Sequence, residues 1–264
     1  MKKFFVIGNP IDHSLSPQLH NYWIEKNNIK ATYEKKQLNE NDIEEIVSEI
    51  KNGKIDGANV TIPFKKSVIP FLDELTPLAN EAQSVNTIYK HNDKVVGHNT
   101  DIGGFELSLK HINYEVKNKK VFILGAGGVA PSIIVALKKM GASKIILSNR
   151  TKKKAEDLKK IYTDLEIINW EQIPDFNMII NATSLGLKKN DEINLNYSDL
   201  GSNKLFYDII YHPSETNFLL KAKKFGHKTE NGKMMFIYQA HQAFTIWHKV
   251  IANIDDKVIK LLNL

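Results

Sequence analysis

Short apolar stretches alternate with helical patterns along almost the whole chain of 264 residues. Residues 4–7 are typical of a buried strand. Residues 16–27 predict a helix that can begin at Pro17. Proline has no backbone N–H, and the N–H groups of the first helical turn have no partner within the helix, so nothing is lost there. A second series of the same kind starts near residue 119. Because strands separated by helices pair in parallel through right-handed crossovers, the alternation predicts an α/β fold with parallel sheets.

The restart of the pattern near residue 101 divides the chain into residues 1–101, residues 102–232 and a C-terminal helical segment, residues 233–264. Further strands are predicted at residues 32–36, 57–62, 84–89, 94–98, 121–124, 144–148, 167–170, 178–181 and 205–209. Further helices are predicted at residues 40–50, 102–110, 131–140, 152–161, 215–225 and 233–254. Apolar residues spaced by three and four support these helices.

Composition excludes several classes of function. The chain has no cysteine, which rules out disulfides, thiolate nucleophiles and iron–sulfur clusters and fits a reducing compartment such as the cytoplasm. The net charge is +6, but the lysines are spread along the chain, whereas a nucleic-acid footprint clusters on one face. No stretch approaches the ~20 apolar residues of a membrane span. We therefore expect neither a nucleic-acid nor a membrane partner.

A glycine-rich turn follows the predicted strand at residues 121–124 and precedes the predicted helix at residues 131–140. Its sequence from Gly125 to Ala130 is G-A-G-G-V-A, a relative of the dinucleotide-binding pattern. Small residues let the backbone approach a pyrophosphate, and the helix N-terminus offers free N–H groups to it. The alternative is a turn that only closes the strand–helix unit. The flanking strand and helix favour dinucleotide binding.

The segment after the next strand selects the dinucleotide. NAD sites usually place Asp or Glu there, to bind the ribose 2′-hydroxyl. This strand is followed by Asn149, Arg150 and Thr151, and then by Lys152, Lys153 and Lys154. Arg150 can bind a 2′-phosphate through two N–H groups, and Lys154 adds positive charge. The alternative is a solvated basic helix start, which the helix dipole disfavours. The segment therefore predicts NADP.

Three polar segments lie near strand ends in the first series. They contain Ser14 and Ser16, Lys65, and Asp101. Each has an ordinary explanation: Ser16 and Asp101 can cap the helices that follow them, and Lys65 can be solvated. Taken together, Lys65 and Asp101 suit the oxidation of an alcohol, because a carboxylate that holds a lysine beside a hydroxyl forms a proton relay.

The ordered set of motifs closely resembles the shikimate dehydrogenase family over essentially the whole chain. The motifs are HSLSP at residues 13–17, NVTIPFK at 59–65, VNT at 85–87, GHNTD at 97–101, GAGG at 125–128, NRT at 149–151, NATSLG at 181–186 and NGKMMFIYQAHQAF at 231–244. The resemblance implies NADPH-dependent reversible reduction of 3-dehydroshikimate to shikimate, on the pathway to chorismate and the aromatic amino acids. It also implies an N-terminal α/β substrate domain and a Rossmann-type NADP domain that flank a cleft, with the final helix returning to the first domain.

The same resemblance assigns roles to individual residues. It makes Lys65 and Asp101 the catalytic pair. It implies substrate binding by Ser14, Ser16, Thr61, Asn86, Tyr211, Gln239 and Gln242. It implies NADP binding by Gly125, Ala126, Gly127, Gly128, Val129, Asn149, Arg150, Thr151 and Lys154, with Thr183, Ile209 and Gly232 near the nicotinamide half. No metal is expected, and the enzyme is expected to be a monomer or a homodimer.

The chain departs from the family pattern near the nicotinamide half, where Asn231 stands in place of a frequent Asp. Two other functions stay open. One is a quinate/shikimate dehydrogenase that uses NAD, against which the basic residues at 150–154 argue. The other is a non-catalytic regulatory module that binds a nucleotide, because a fold does not fix a function.

Overall fold

The structure, a computed structural model, describes residues 1–262. Its strands are β1 (Lys2–Gly8), β2 (Ala31–Gln37), β3 (Gly57–Val60), β4 (Glu74–Leu75), β5 (Thr87–His91), β6 (Lys94–His98), β7 (Lys120–Leu124), β8 (Lys144–Ser148), β9 (Glu166–Ile168), β10 (Met178–Asn181), β11 (Leu205–Asp208) and β12 (Lys228–Glu230). Its helices are α1 (Ser16–Lys26), α2 (Ile43–Lys51), α3 (Pro77–Ala82), α4 (Thr100–His111), α5 (Ala130–Lys139), α6 (Lys152–Ile161), α7 (Asn217–Lys224), α8 (Lys233–His248) and α9 (Asp256–Leu261).

The chain divides into two compact units, which confirms an α/β fold with two sheet domains. We call Met1–Phe105 together with residues 237–262 the N-terminal unit, and Glu106–Phe236 the central unit. The chain passes from the first to the second within α4 and returns within α8. The predicted functional boundaries at residues 101 and 232 stay predictions.

The N-terminal unit is built on a mixed six-stranded sheet with the order β2-β1-β3-β5-β6-β4. The strands β1, β2 and β3 are parallel, as predicted, whereas β5 runs antiparallel to both β3 and β6. Two of the predicted strands, at residues 84–89 and 94–98, correspond to β5 and β6, which form an antiparallel hairpin. The amphipathic helix α2 buries Ile43, Ile46, Val47 and Ile50 in the core of this unit.

The central unit contains an all-parallel sheet with the order β12-β11-β10-β7-β8-β9. Counted within the unit, this order is the doubly wound Rossmann arrangement, which binds nucleotides at the carboxyl ends of its strands. Most residues of β7, β8, β10 and β11 are buried, as expected of strands covered on both faces. The reversal of strand order lies between β7 and β10, and the glycine-rich turn directly follows β7.

The C-terminal helix is shorter than the sequence pattern predicts. Residues 233–254 read as one helical stretch, but α8 ends at His248 because Lys249 adopts a left-handed conformation with φ of 54°. The sequence pattern also missed α3, β4 and β12, which have six, two and three residues. Among the described residues, no helix is both long and apolar enough to cross a membrane.

Candidate active site

Lys65 and Asp101 form a close ion pair in the N-terminal unit. Lys65 lies in the turn that follows β3, and Asp101 lies in the first turn of α4. The Lys65 Nζ atom is 2.6 Å from Asp101 Oδ2, and the two side chains are 13% and 9% exposed. A lysine at this place in the sequence is usually solvated; here it is held by a buried carboxylate. An ammonium group can donate a proton, and the carboxylate fixes its position.

Asn86 fixes the second oxygen of the Asp101 carboxylate. Its Nδ2 atom donates to Asp101 Oδ1 at 2.9 Å, and its Oδ1 atom accepts from the Thr100 amide at 2.7 Å. The same Nδ2 atom lies 3.4 Å from Gln239 Oε1 on α8. Asn86 therefore connects the start of α4, the ion pair and α8.

The helix-capping alternatives for Ser16 and Asp101 are wrong. The Ile102 amide donates to Asn99 Oδ1 at 3.2 Å, so Asn99 serves the start of α4. The N-cap of α1 is Leu15, and no side chain caps it. Ser14 Oγ instead accepts from the Ser16 amide at 3.3 Å. The Asp101 carboxylate therefore binds Lys65 and Asn86 and does not cap the helix.

The other predicted substrate residues fall in both units. Thr61 directly follows β3, and its amide donates to Ile7 in β1 at 2.9 Å. Gln242 on α8 has a buried Nε2 atom without a hydrogen-bond partner among the residues described. The α8 helix passes so close to Gly103 that a Cβ there would lie 2.4 Å from Gln242 Oε1. Tyr211 belongs to the central unit, where burial raises its pKa to about 12 and its ring packs on Phe236 at 4.6 Å.

Sequence reasoning missed several buried polar residues beneath this site. Asn59, at the start of the NVTIPFK motif, donates to the Asn86 carbonyl at 3.0 Å and to Thr87 Oγ1 at 3.1 Å. Tyr33 on β2 donates its hydroxyl to Asn59 Oδ1 at 2.7 Å. Asn59 and Thr87 lie inside the motifs NVTIPFK and VNT, so the motifs could have drawn attention to them. Tyr33 lies outside every motif.

The glycine turn of the central unit has the backbone geometry that a phosphate cradle needs. Gly125 has φ of 106°, and a Cβ there would lie 2.7 Å from the Ala182 carbonyl oxygen. Gly127 and Gly128 are exposed. The α5 helix begins at Ala130, and no side chain caps its N-terminus. The exposed turn and the uncapped helix start fit a pyrophosphate.

The segment after β8 lies beside this turn. Asn149 Oδ1 accepts from the Ala126 amide at 2.9 Å, and Asn149 Nδ2 donates to the Thr151 carbonyl at 2.8 Å. Arg150, Thr151 and Lys154 are exposed. Within residues 1–262, neither Arg150 nor Lys154 takes part in an ion pair. Two unpaired cations beside a phosphate cradle fit the additional phosphate of NADP.

Asn181 organises the residues predicted near the nicotinamide. Its Oδ1 atom accepts from the Thr183 amide at 3.1 Å and the Thr183 hydroxyl at 2.7 Å, and its carbonyl accepts from the Ile209 amide. Its Nδ2 atom donates to Asp208 Oδ1 at 3.1 Å. Burial raises the pKa of Asp208 to about 6, although the Thr216 hydroxyl and the Ile210 amide also donate to this carboxyl.

Gly232 and Asn231 lie where β12 leads into α8. The Gly232 amide donates to the Ile210 carbonyl at 3.1 Å. Asn231 Oδ1 accepts from the Lys233 amide at 3.0 Å, and Asn231 Nδ2 donates to the Ser214 carbonyl at 2.9 Å. An aspartate could make the first of these bonds but not the second. No group of three or more metal-ligating side chains occurs in the described part of the chain.

Comparison with family models gives matches in both units. Residues 6–88 match the shikimate dehydrogenase substrate binding domain, and residues 106–196 match shikimate / quinate 5-dehydrogenase. A shikimate dehydrogenase (NADP(+)) of Pelagibacter ubique is 60% identical over 262 residues, which are 99% of this chain and 99% of that protein.

Solved structures agree with these matches. Shikimate dehydrogenase from Aquifex aeolicus has a TM-score of 0.89 and 39% identity, over 99% of this chain and 97% of that one. Shikimate 5-dehydrogenase from Thermus thermophilus, solved in complex with NADP(H) and shikimate, has a TM-score of 0.89 and 28% identity, over 100% of this chain and 98% of that one. This chain belongs to the shikimate dehydrogenase (NADP(+)) family of oxidoreductases.

Proposed function

We propose that this enzyme catalyses the NADPH-dependent, reversible reduction of 3-dehydroshikimate to shikimate, with Lys65 and Asp101 as its catalytic pair. The observation that carries the proposal is the 2.6 Å contact between Lys65 Nζ and Asp101 Oδ2. A regulatory module that only binds a nucleotide has no need of a lysine held inside a buried polar network. Family membership supplies the identity of the substrate.

The pair handles the proton of the reaction. NADPH, when bound, supplies the hydride that adds to the carbonyl carbon. The Lys65 ammonium group donates a proton to the carbonyl oxygen, which becomes the new hydroxyl group. Asp101 holds the ammonium group in place, and Asn86 holds Asp101. In the reverse direction, the Lys65 amine accepts the proton of the substrate hydroxyl.

The remaining predicted side chains provide recognition of a small polyhydroxylated acid. Ser14, Ser16 and Thr61 offer hydroxyl groups, and Gln239 and Gln242 offer amides. The buried Nε2 atom of Gln242 lacks a partner within residues 1–262, so a substrate oxygen would satisfy it. A site built from such groups rejects analogues that lack the matching hydroxyls. We also assign Tyr211 of the central unit to the substrate.

The central unit holds NADP. The turn from Gly125 to Val129 takes the pyrophosphate, and the basic segment after β8, with Arg150 and Lys154 as its cations, takes the 2′-phosphate. Thr183, Ile209 and Gly232 serve the nicotinamide half. The positions of the first two depend on Asn181, which binds both.

A matrix of two acids and two cofactors tests this function. The purified enzyme is given shikimate or quinate with NADP⁺ or NAD⁺, and the absorbance of the reduced cofactor is followed. We expect the highest kcat/KM for shikimate with NADP⁺. A higher value for NAD⁺ would favour the quinate/shikimate alternative. Tight NADP⁺ binding by a folded enzyme without turnover of either acid would favour the regulatory module.

We further infer that the ligands are small molecules and that no nucleic acid or membrane takes part. A cytoplasmic location and a monomer or homodimer are our expectations from composition and family. Sedimentation equilibrium measures the oligomeric state directly. A nucleic-acid affinity that falls steeply with salt would contradict the inference about partners.

A further inference from the structure

A fully buried tyrosine connects the edge of the N-terminal sheet to the proposed catalytic pair. Tyr33 on β2 is 1% exposed, and its hydroxyl donates to Asn59 Oδ1 at 2.7 Å. Burial raises the pKa of this phenol well above its usual range. The phenol therefore contacts Asn59 in the interior of the sheet.

From Asn59 the connection continues to Asn86. Asn59 Nδ2 donates to the Asn86 carbonyl at 3.0 Å and to Thr87 Oγ1 at 3.1 Å. Thr87 Oγ1 lies 3.1 Å from Asn86 Oδ1, and Asn86 in turn holds Asp101. Every member of this series is buried, so water cannot replace a lost partner at low cost.

The ring of Tyr33 is held independently of its hydroxyl. It stacks on His20 with centroids 4.1 Å apart and planes 2° from parallel. The side chain of Asn21 accepts from the Tyr33 amide at 3.0 Å and donates to the Tyr33 carbonyl at 2.8 Å. Removal of the hydroxyl therefore leaves the ring in place and breaks only its polar contacts.

We propose that Tyr33 is a positioning residue for the reaction: its hydroxyl orients Asn59 and, through Asn59, Asn86. This role rests on the proposed function. Without the hydroxyl, Asn59 Oδ1 is a buried acceptor without its donor, and Asn59 can turn away from the Asn86 carbonyl. The shikimate subsite then loses order, whereas the NADP site, in the other unit, keeps all its contacts.

The variant Tyr33→Phe tests the role. We expect kcat/KM for shikimate to fall roughly tenfold, mostly through KM, with KM for NADP⁺ unchanged. The matched control is Tyr207→Phe, because Tyr207 in the central unit is also fully buried and its hydroxyl lies 2.8 Å from Ser108 Oγ. The control should lose thermal stability to a similar extent and keep its KM for shikimate.

A double variant separates positioning from simple loss of stability. If Tyr33 acts through Asn86, adding Tyr33→Phe to Asn86→Ala should change kcat/KM less than about twofold. A KM for shikimate that stays at the wild-type value in Tyr33→Phe would overturn the positioning role alone. Absence of shikimate turnover in the folded wild-type enzyme would overturn the proposed function and this role together. A full tenfold loss in the Asn86→Ala background would also overturn the route through Asn86.

Discussion

The two candidate sites are built in opposite ways. In the N-terminal unit, the site consists of buried and half-buried side chains brought together from distant parts of the chain: Lys65 and Asp101 are 36 residues apart, and Asn86 and Gln239 are 153 apart. In the central unit, the cofactor site consists of a backbone turn after β7 and an exposed basic segment after β8. The first site depends on the sheet and α8 for its geometry, whereas the part of the second site proposed for the phosphates lies within residues 125–154.

The charges of the two sites differ in the same way. Asp101 is buried, Lys65 is half-buried, and the two charges neutralise each other, so removal of one leaves the other without its charged partner. Arg150 and Lys154 are exposed, and neither takes part in an ion pair within residues 1–262. Substitutions in the first site should therefore alter the chemical step, and substitutions in the second should alter cofactor affinity.

Lys65→Ala should have the largest effect. We expect kcat to fall by ~10²–10⁴ because the proton donor is lost, while the Kd for NADP⁺ stays within about twofold of wild type. Steady-state kinetics and equilibrium titration with NADP⁺ measure the two quantities. The control is Lys66→Ala, since Lys66 is the exposed neighbour of Lys65. An equal loss of kcat in Lys65→Ala and Lys66→Ala would show that Lys65 has no specific role in the chemical step, which contradicts the proposed difference between the two sites.

Asp208→Asn should sharpen the contrast between two buried carboxylates. Asp101 is paired with a lysine, whereas Asp208 is held by the neutral donors Asn181, Ile210 and Thr216. Burial raises the pKa of Asp208 from 3.8 to about 6. At a pH between these two pKa values, Asp208 keeps its proton in the folded state and has lost it in the unfolded state. Stability from this group therefore falls by about 3 kcal/mol as pH rises from about 4 to about 6.

The amide of Asp208→Asn does not titrate, so this fall should vanish in the variant. Urea unfolding of both proteins at pH 4 and pH 7 measures the change in the free energy of unfolding. The variant should gain about 3 kcal/mol relative to wild type between the two values. The same pH dependence in both proteins would show that Asp208 carries no raised pKa.

Arg150→Ala should have a smaller effect, confined to the cofactor. Loss of charge-assisted bonds to the 2′-phosphate should raise KM for NADP⁺ roughly 10- to 100-fold and leave KM for NAD⁺ nearly unchanged. Lys160→Ala, at the other end of α6, is the control and should keep both values. An equal rise in KM for NADP⁺ and NAD⁺ would mean that Arg150 does not bind the 2′-phosphate.

Asn231→Asp should have the smallest effect. The substitution keeps the acceptor for the Lys233 amide and removes the donor to the Ser214 carbonyl, a contact exposed to solvent. We expect a loss of about 1 kcal/mol in the free energy of unfolding and a change in KM for NADP⁺ below about threefold. A tenfold change in KM would place Asn231 in direct contact with the cofactor.

The difference between the sites also explains what the sequence could predict. The turn at residues 125–130 and the segment at residues 149–154 are each contiguous and flanked by regular elements, so their geometry could be inferred locally. For Lys65 and Asp101, local sequence left ordinary alternatives open. Their contact depends on the pairing of β3, β5 and β6, and a residue pattern alone does not fix that register.

The residue and the elements that the sequence analysis missed or misplaced have physical explanations. Tyr33 lies in a strand with no motif, and its proposed role comes from a contact with Asn59 that tertiary packing creates. The break after His248 depends on one left-handed residue, Lys249, in a stretch of favourable helical pattern. The strand β4 has two residues, which is too short for any periodicity to appear.

Amide hydrogen exchange of the intact enzyme with one ligand at a time tests the separation of the two sites most directly. NADP⁺ alone should slow exchange in residues 125–130 and 149–154 and leave residues 59–65 and 86–101 unchanged. Shikimate alone should slow exchange in residues 59–65 and 86–101 and leave residues 149–154 unchanged. Protection of residues 149–154 by shikimate alone, or of residues 59–65 by NADP⁺ alone, would contradict the account.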